Sequence, residues 1–220
     1  MLGASLCFGA SVVQAQDASL DKVLAQLDAA AAKFQSAQAE FSWDQYEKVV
    51  DDHDTQSGTI FFERKGPTTQ MAAHISKPDD KVLVYKDAQL QFFQPKIDQV
   101  TIFSAGVNRS QYESFLTLGF GGSGHDLAAT WNIAYQGTET IAGTATVKLD
   151  LVPKQADVRK MFEHVTIWVD PGRAISVKQQ FFEPSGDLRT AIYSNIQYNA
   201  KVPSDAFNIK TTGKTQIVRK

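Results

Sequence analysis

The stretch KPDDKVLVYKDAQLQFFQPKIDQVTIF, Lys77–Phe103, decides the fold class. It holds three short runs, Lys81–Tyr85 (KVLVY), Gln89–Phe93 (QLQFF) and Gln99–Phe103 (QVTIF), rich in β-branched and aromatic residues. KPDD, KDA and QPKID separate them, and Pro, Asp and Lys in such clusters mark turns. Strands this short, joined by turns this short, form an antiparallel meander.

Upstream, Thr69–Ser76 and Thr59–Arg64 (TIFFER) read as two more strands, broken by Lys65–Pro67, with Ile60, Phe62 and Arg64 on one face. Asp51–Gly58 (DDHDTQSG) reads as a polar connection, and Phe41–Val50 as the strand before it, with Phe41 and Trp43 in phase. Ser19–Gln38 has Leu20, Val23, Leu24, Leu27, Ala31 and Phe34 at helical spacing and contains neither Gly nor Pro, which predicts an amphipathic helix. Downstream, Ser110–Leu118 and His125–Thr130 read as short helices around a glycine-rich break, Gly119–Gly124, that carries Phe120. Strands resume at Asn132–Gln136, Ala145–Val152, His164–Asp170, Ile175–Phe182 and Leu188–Tyr198, followed by a helical turn at Pro203–Phe207 and a polar tail.

These elements predict one mainly β domain with helices: a large antiparallel sheet of about 11 strands, which must curl because it is so wide, with an N-terminal helix and a helical insertion between its halves. One helix and two short ones are too little to cover its apolar face. The space is filled by the sheet closing on itself, or left as a lipophilic cavity under a glycine-flanked lid. The expected lining is Phe41, Trp43, Ile60, Phe62, Met71 and Ile75, continued by Val82, Val84, Leu90, Phe92 and Ile102. The expected lid residues are Phe115, Leu116, Leu118 and Phe120.

Of 220 residues, 43% are hydrophobic and 21% charged, and the net charge is −2, so neither a disordered chain nor a nucleic-acid binder is indicated. Met1–Ala15 carries no charge and has an apolar run from Leu2 to Val13, shorter than the ~20 residues that span a bilayer. It reads as a secretory signal cleaved after Ala15, which leaves residues 16–220 as a single exported domain. Cys7 is the only cysteine, so no intramolecular disulfide and no thiolate metal cluster can form. His53, His74, His125 and His164 fall in no metal-ligand spacing, the glycine-rich break lacks the GK[ST] ending of a phosphate loop, and there is no G-x-S-x-G elbow. No cofactor, metal or catalytic residue is expected.

Gly58–Arg64 (GTIFFER), the Pro78–Val84 stretch, the Lys86–Ala88 turn, the aromatic strand ending at Pro95, and Gln99-Val100 occur in an order that resembles the LolA-like periplasmic outer-membrane lipoprotein carriers. Val165–Val169 with its Asp170–Gly172 turn, and Val202–Phe207, extend the resemblance. Three departures are that the proline after the strand-end arginine is displaced to Pro67, that Ala88 stands where the hairpin glycine is usual, and that the lid sequence Ser114–Gly124 differs from that of the best-studied carriers. The resemblance implies an unclosed antiparallel β-barrel of about 11 strands with a helical lid over a hydrophobic cavity. It implies carriage of lipoprotein acyl chains, as a monomer, from an inner-membrane ABC releasing complex to an outer-membrane acceptor. Arg64 matches the arginine that tethers the lid by hydrogen bonds to backbone carbonyls. Other readings of the same fold are a periplasmic sensor or regulatory binding module, a glycolipid carrier and, more distantly, a lipid hydrolase.

Overall fold

The computed structural model describes residues 10–104 and 116–220, with side chains from residue 19 onward. Helix α1 (Ala10–Ala31) leads into strands β1 (Ser36–Glu47), β2 (Asp52–Lys65), β3 (Thr68–Lys77), β4 (Lys81–Lys86), β5 (Gln89–Gln94) and β6 (Gln99–Ser104). After the undescribed stretch come α2 (Gly124–Thr130), β7 (Trp131–Ile141), β8 (Thr144–Pro153), α3 (Ala156–Arg159), β9 (His164–Asp170), β10 (Ile175–Phe182), β11 (Leu188–Tyr198) and β12 (Gln216–Arg219). The twelve strands of the described residues form one sheet in the order β12-β6-β5-β4-β3-β2-β1-β11-β10-β9-β8-β7. Neighbours pair antiparallel except β12, which adds to β6 in parallel. The sheet does not close, because its edges are β12 and β7. This is the open, barrel-like α+β architecture expected from the sequence.

Several boundaries differ from the sequence reading: α1 begins at Ala10 rather than Ser19, β7 runs to Ile141 rather than Gln136, and three further differences have a tertiary reason. The helix expected to reach Gln38 stops at Ala31. Its last carbonyl accepts a hydrogen bond from Arg64 Nη1 at 2.9 Å, and Asn199 takes the following turn by donating to Lys33 O and accepting from Gln35 N. These groups satisfy carbonyls and amides that a longer helix would have satisfied itself, so the chain turns into β1. Asp51–Gly58 is strand rather than connection: β2 pairs with β1 down to Glu47↔Asp52, and the turn is Lys48–Asp51 instead. That hairpin end has no apolar period because both its faces meet water. It is held by Asp44, which accepts from Thr55 Oγ1 at 3.2 Å and lies 2.9 Å from His53 Nδ1. The polar tail contains β12, whose backbone completes the edge of β6.

The inner face of the curl carries two buried clusters. One joins Val23, Leu27 and Ala30 of α1 to Trp131, Leu149, Leu151, Val165 and Ile167 of β7–β9. The other joins Phe34 and Phe41 to Ile60, Phe62, Met71, Ala73 and Tyr193. A third cluster lies on the outer face, where Ala206 and Phe207 cover Phe61, Ala72 and Val84. His74 Nε2, 2.8 Å from Ala206 O, ties that C-terminal segment to β3. Each large apolar side chain fully buried in these clusters contributes about 1.5–3 kcal/mol. No described helix is long and apolar enough to cross a membrane.

Candidate functional site: the inner face and its cover

Register decides which residues face inward. Ala37, Ala39, Phe41 and Trp43 of β1 stand opposite Phe62, Ile60, Gly58 and Gln56 of β2, and Met71, Ala73 and Ile75 continue the same face on β3. Of the residues expected to line a cavity, Phe41, Ile60, Phe62, Met71 and Ile75 are buried in one inner cluster, with Trp43 and Leu90 packed against it. Phe92 joins Trp43, Ile75 and Leu83 around an open cleft of about 240 Å³ at one end of the curl.

Three expected lining residues point the other way. Met71 pairs with Tyr85 and Ala73 with Leu83, so the inward residues of β4 are Leu83 and Tyr85, while Val82 and Val84 lie in the outer cluster under the C-terminal segment. Ile102 pairs with Gln91, between the inward Leu90 and Phe92, and therefore also faces outward, beside Arg219 of β12. The run Val82-Leu83-Val84-Tyr85 is apolar on both phases because both faces of β4 are covered. Alternation alone therefore carries no phase there.

The segment Leu116–Ser123 crosses the inner face. Phe115, also expected in the lid, lies outside the described residues, as does most of the expected helix Ser110–Leu118. Leu118 enters the cluster beneath α1, whereas Leu116 and Phe120 enter the cluster of β1–β3, so the segment bridges the two halves. Phe120 is 1% exposed. Its ring stacks on Phe62 at 3.9 Å and meets Tyr193 edge-on at 4.9 Å.

Hydrogen bonds fasten this cover along both margins. On one side Arg64 Nη2 donates to Gly121 O at 2.7 Å, while its guanidinium lies 5.7 Å from the Phe34 ring centroid. On the other, Gly121 N donates to Ala174 O at 2.9 Å, Ser176 N donates to Gly119 O at 2.6 Å, and Gln179 Nε2 donates to Leu118 O at 2.6 Å. Ser176 N is free to do this because β10 and β9 shift register between Ser176 and Lys178. Glycine is required at two points of the cover. Gly119 and Gly121 have φ of +74° and +73°, and a Cβ there would sit 1.9 Å from Ser176 Oγ or 2.3 Å from the Phe34 ring.

Among the described residues few polar side chains reach this interior, and sequence reasoning named Arg64 but missed Ser176, Gln179 and Tyr193. Gln179 is 3% exposed and accepts from Tyr193 Oη at 3.0 Å. Burial pushes the Tyr193 phenol far above its ordinary value of 10.0, against the opposing pull of a hydrogen bond with Trp43. The signal for Gln179 was available: it is a polar residue at an apolar-phase position between Val177 and Phe181. Between the cover, α1 and the β9–β10 wall lies a cavity of about 400 Å³, lined in part by Leu27, Arg64, Gly121, Leu127, Ile167 and Ala174. Among the described residues no group of His, Cys, Asp or Glu is placed to hold a metal ion.

A family model, described as outer membrane lipoprotein carrier protein LolA, matches residues 32–210 of this chain. A comparison with curated proteins found no match. Among solved structures, an uncharacterized conserved protein from Thermus thermophilus is 9% identical, with 92% of this chain covered, 99% of that chain and a TM-score of 0.57. MucB is 14% identical, with 91% of this chain covered, 66% of that chain and a TM-score of 0.57. The Pseudomonas aeruginosa MucA/MucB complex gives 13% identity, 87% and 61% coverage and a TM-score of 0.53. This chain thus spans about two-thirds of the MucB length or slightly less, and at such identities the likeness is one of fold.

Proposed function

The chain belongs to the LolA family of outer membrane lipoprotein carriers, and on that premise we propose that it is a periplasmic carrier that shelters the acyl chains of lipoproteins while they cross from the inner to the outer membrane. It does no covalent chemistry. The signal segment ending at Ala15 exports it, and an inner-membrane ABC releasing complex and an outer-membrane acceptor are its donor and recipient. It works as a monomer.

One observation carries this reading. The apolar inner face is sealed by a segment of the chain's own, with the Phe120 ring placed between Phe62 and Tyr193, and that seal is fastened chiefly through backbone carbonyls. A permanently packed core has no use for a cover attached in that way. Exposing a lipid tail to water costs about 0.8 kcal/mol per methylene, so a chain of about 15 methylenes opposes free transfer by about 12 kcal/mol. A carrier has to offset that cost and still let go. Apolar walls whose place is taken by the protein's own phenylalanine when empty supply both conditions.

The test is native mass spectrometry of protein purified from the cell envelope without detergent, followed by organic extraction. An acylated lipopeptide or lipoprotein bound one to one is the expected result. A bound glycolipid overturns the cargo assignment. Protein that is empty and takes up no fluorescent acyl probe overturns the carrier reading and leaves a regulatory binding module on this fold.

A further inference from the structure

Resting on the carrier reading, we infer that Ser176 and Gln179 form a carbonyl-recognition site for cargo: the donors that hold the cover closed are the donors that take two acyl ester carbonyls when the cover is displaced. The cargo selected is then a diacylglyceryl group, in which two ester carbonyls hang from adjacent carbons, rather than hydrocarbon chains of any linkage.

The argument starts from what the cover presents. Ser176 N–H and Gln179 Nε2 bond two consecutive carbonyls, Gly119 O and Leu118 O, both at 2.6 Å. Gln179 does not turn freely. Tyr193 Oη donates to its Oε1, so the amide nitrogen is aimed at the cover. Ser176 is 0% exposed, and its hydroxyl, lying where a Gly119 Cβ would fall, has no hydrogen-bond partner among the described residues. A buried hydroxyl left unpaired is unfavourable, and each buried polar group in a native structure calls for a reason. Displacing the cover frees the Ser176 amide from Gly119 O and opens the space at that hydroxyl, where a cargo oxygen can take the bond that the cover does not make.

Displacement of the cover by bare hydrocarbon would leave the Ser176 amide and the Gln179 amide unsatisfied in an apolar surround, which is costly. Ester oxygens restore both bonds. The cover is therefore a competitor that mimics the linkage region of the cargo, and the apolar faces on either side of Gln179 take the chains.

Two fluorescent glycerol lipids of equal chain length, one with two ester linkages and one with two ether linkages, are titrated into the wild-type protein without detergent. The diester is expected to bind at least about tenfold more tightly, the effect of one or two buried hydrogen bonds. In the double variant Ser176→Ala, Gln179→Met, with its fold checked by circular dichroism, only the Ser176 backbone amide remains as a donor, and the ester-to-ether ratio falls several-fold toward one on the same reasoning. Equal, tight binding of both lipids by the wild type overturns the carbonyl site and leaves the carrier reading standing. A preference as large in the double variant as in the wild type also overturns it. Binding of neither lipid overturns the carrier reading and this inference with it.

Discussion

Replacing Phe120 by alanine should weaken the protein and strengthen its grip on acyl chains. In a buried core, Phe→Ala costs about 3–5 kcal/mol, to which well-placed ring pairs contribute about 0.5–1.5 kcal/mol each. Phe120 has two such pairs, with Phe62 and Tyr193, and is almost fully buried. Its segment, however, crosses the inner face and meets the sheet only at the bridge from Phe120 to Ile175, so the loss falls on the covered state alone. Taking the low end, about 3 kcal/mol moves the balance between covered and uncovered states by about 100-fold. Because affinity scales with the fraction of molecules competent to bind, an acyl probe should bind up to about 100-fold more tightly, with the gain levelling off once the uncovered state dominates.

The assay is a detergent-free titration with a fluorescent fatty acid, alongside hydrogen exchange at the Ser176 amide, whose partner is Gly119 O of the cover. Exchange at Ser176 should accelerate by the same factor as the affinity rises. Phe41→Ala supplies the opposite sign: Phe41 belongs to the wall, in ring contact with Trp43 at 4.3 Å, and its loss removes surface that cargo would touch. If Phe120→Ala also weakens the probe, and Ser176 exchange stays as slow as in the wild type, Phe120 is wall and not plug, and the reasoning fails.

Arg64→Leu removes one charge-assisted hydrogen bond to the cover and one to the end of α1, each of a kind worth about 1.5–3 kcal/mol. Faster exchange of the Gly121 amide and altered cargo release are expected, and wild-type values for both would exclude a latch. Alkaline stability should report on Tyr193. Its phenol is held above 10.0 in the folded protein, so this stabilisation is intact below pH 10 and declines above it, where the unfolded chain ionises and the folded one does not. The decline should approach about 1.4 kcal/mol per pH unit, and Tyr193→Phe should remove that part of the slope in denaturant titrations at rising pH.

Much of the sheet was legible because its turns carry their own chemistry. Asp87 and Ala88 both sit at positive φ, 51° and 58°, the geometry of a two-residue hairpin, and the KDA separator marked the place. The strands His164–Asp170, Ile175–Phe182 and Leu188–Tyr198 fall where turn residues at Asp170–Gly172 and Pro184–Asp187 put them. The sequence did not show where the hairpin of β1 and β2 extends past the core. There the partners of Asp44 are His53 and Thr55, and polar cross-strand pairing leaves no hydrophobic period to read. Nor did it show the end of α1, which is set by Arg64 and Asn199, 33 and 166 residues away from the carbonyls they bind.

The inner face was most legible where the outer face is polar. On β1 the residues between Ala37, Ala39, Phe41 and Trp43 are Gln38, Glu40 and Ser42, so the phase is plain. On β4 it is not, since Phe207 and Ala206 return from the far end of the chain to bury Val84 from outside, and that contact has no local signature. The same logic exposes Gln179. A polar side chain in the inward phase of β10 looks like a flaw in the strand pattern. With Tyr193 behind it and Leu118 O in front, it is instead the hydrogen-bonding group in an otherwise oily wall that cover and cargo would have to share. A polar residue in an apolar phase, where the opposite face is already solvated, is thus a sharper pointer to a binding function than the apolar residues around it, which a packed core would require in any case.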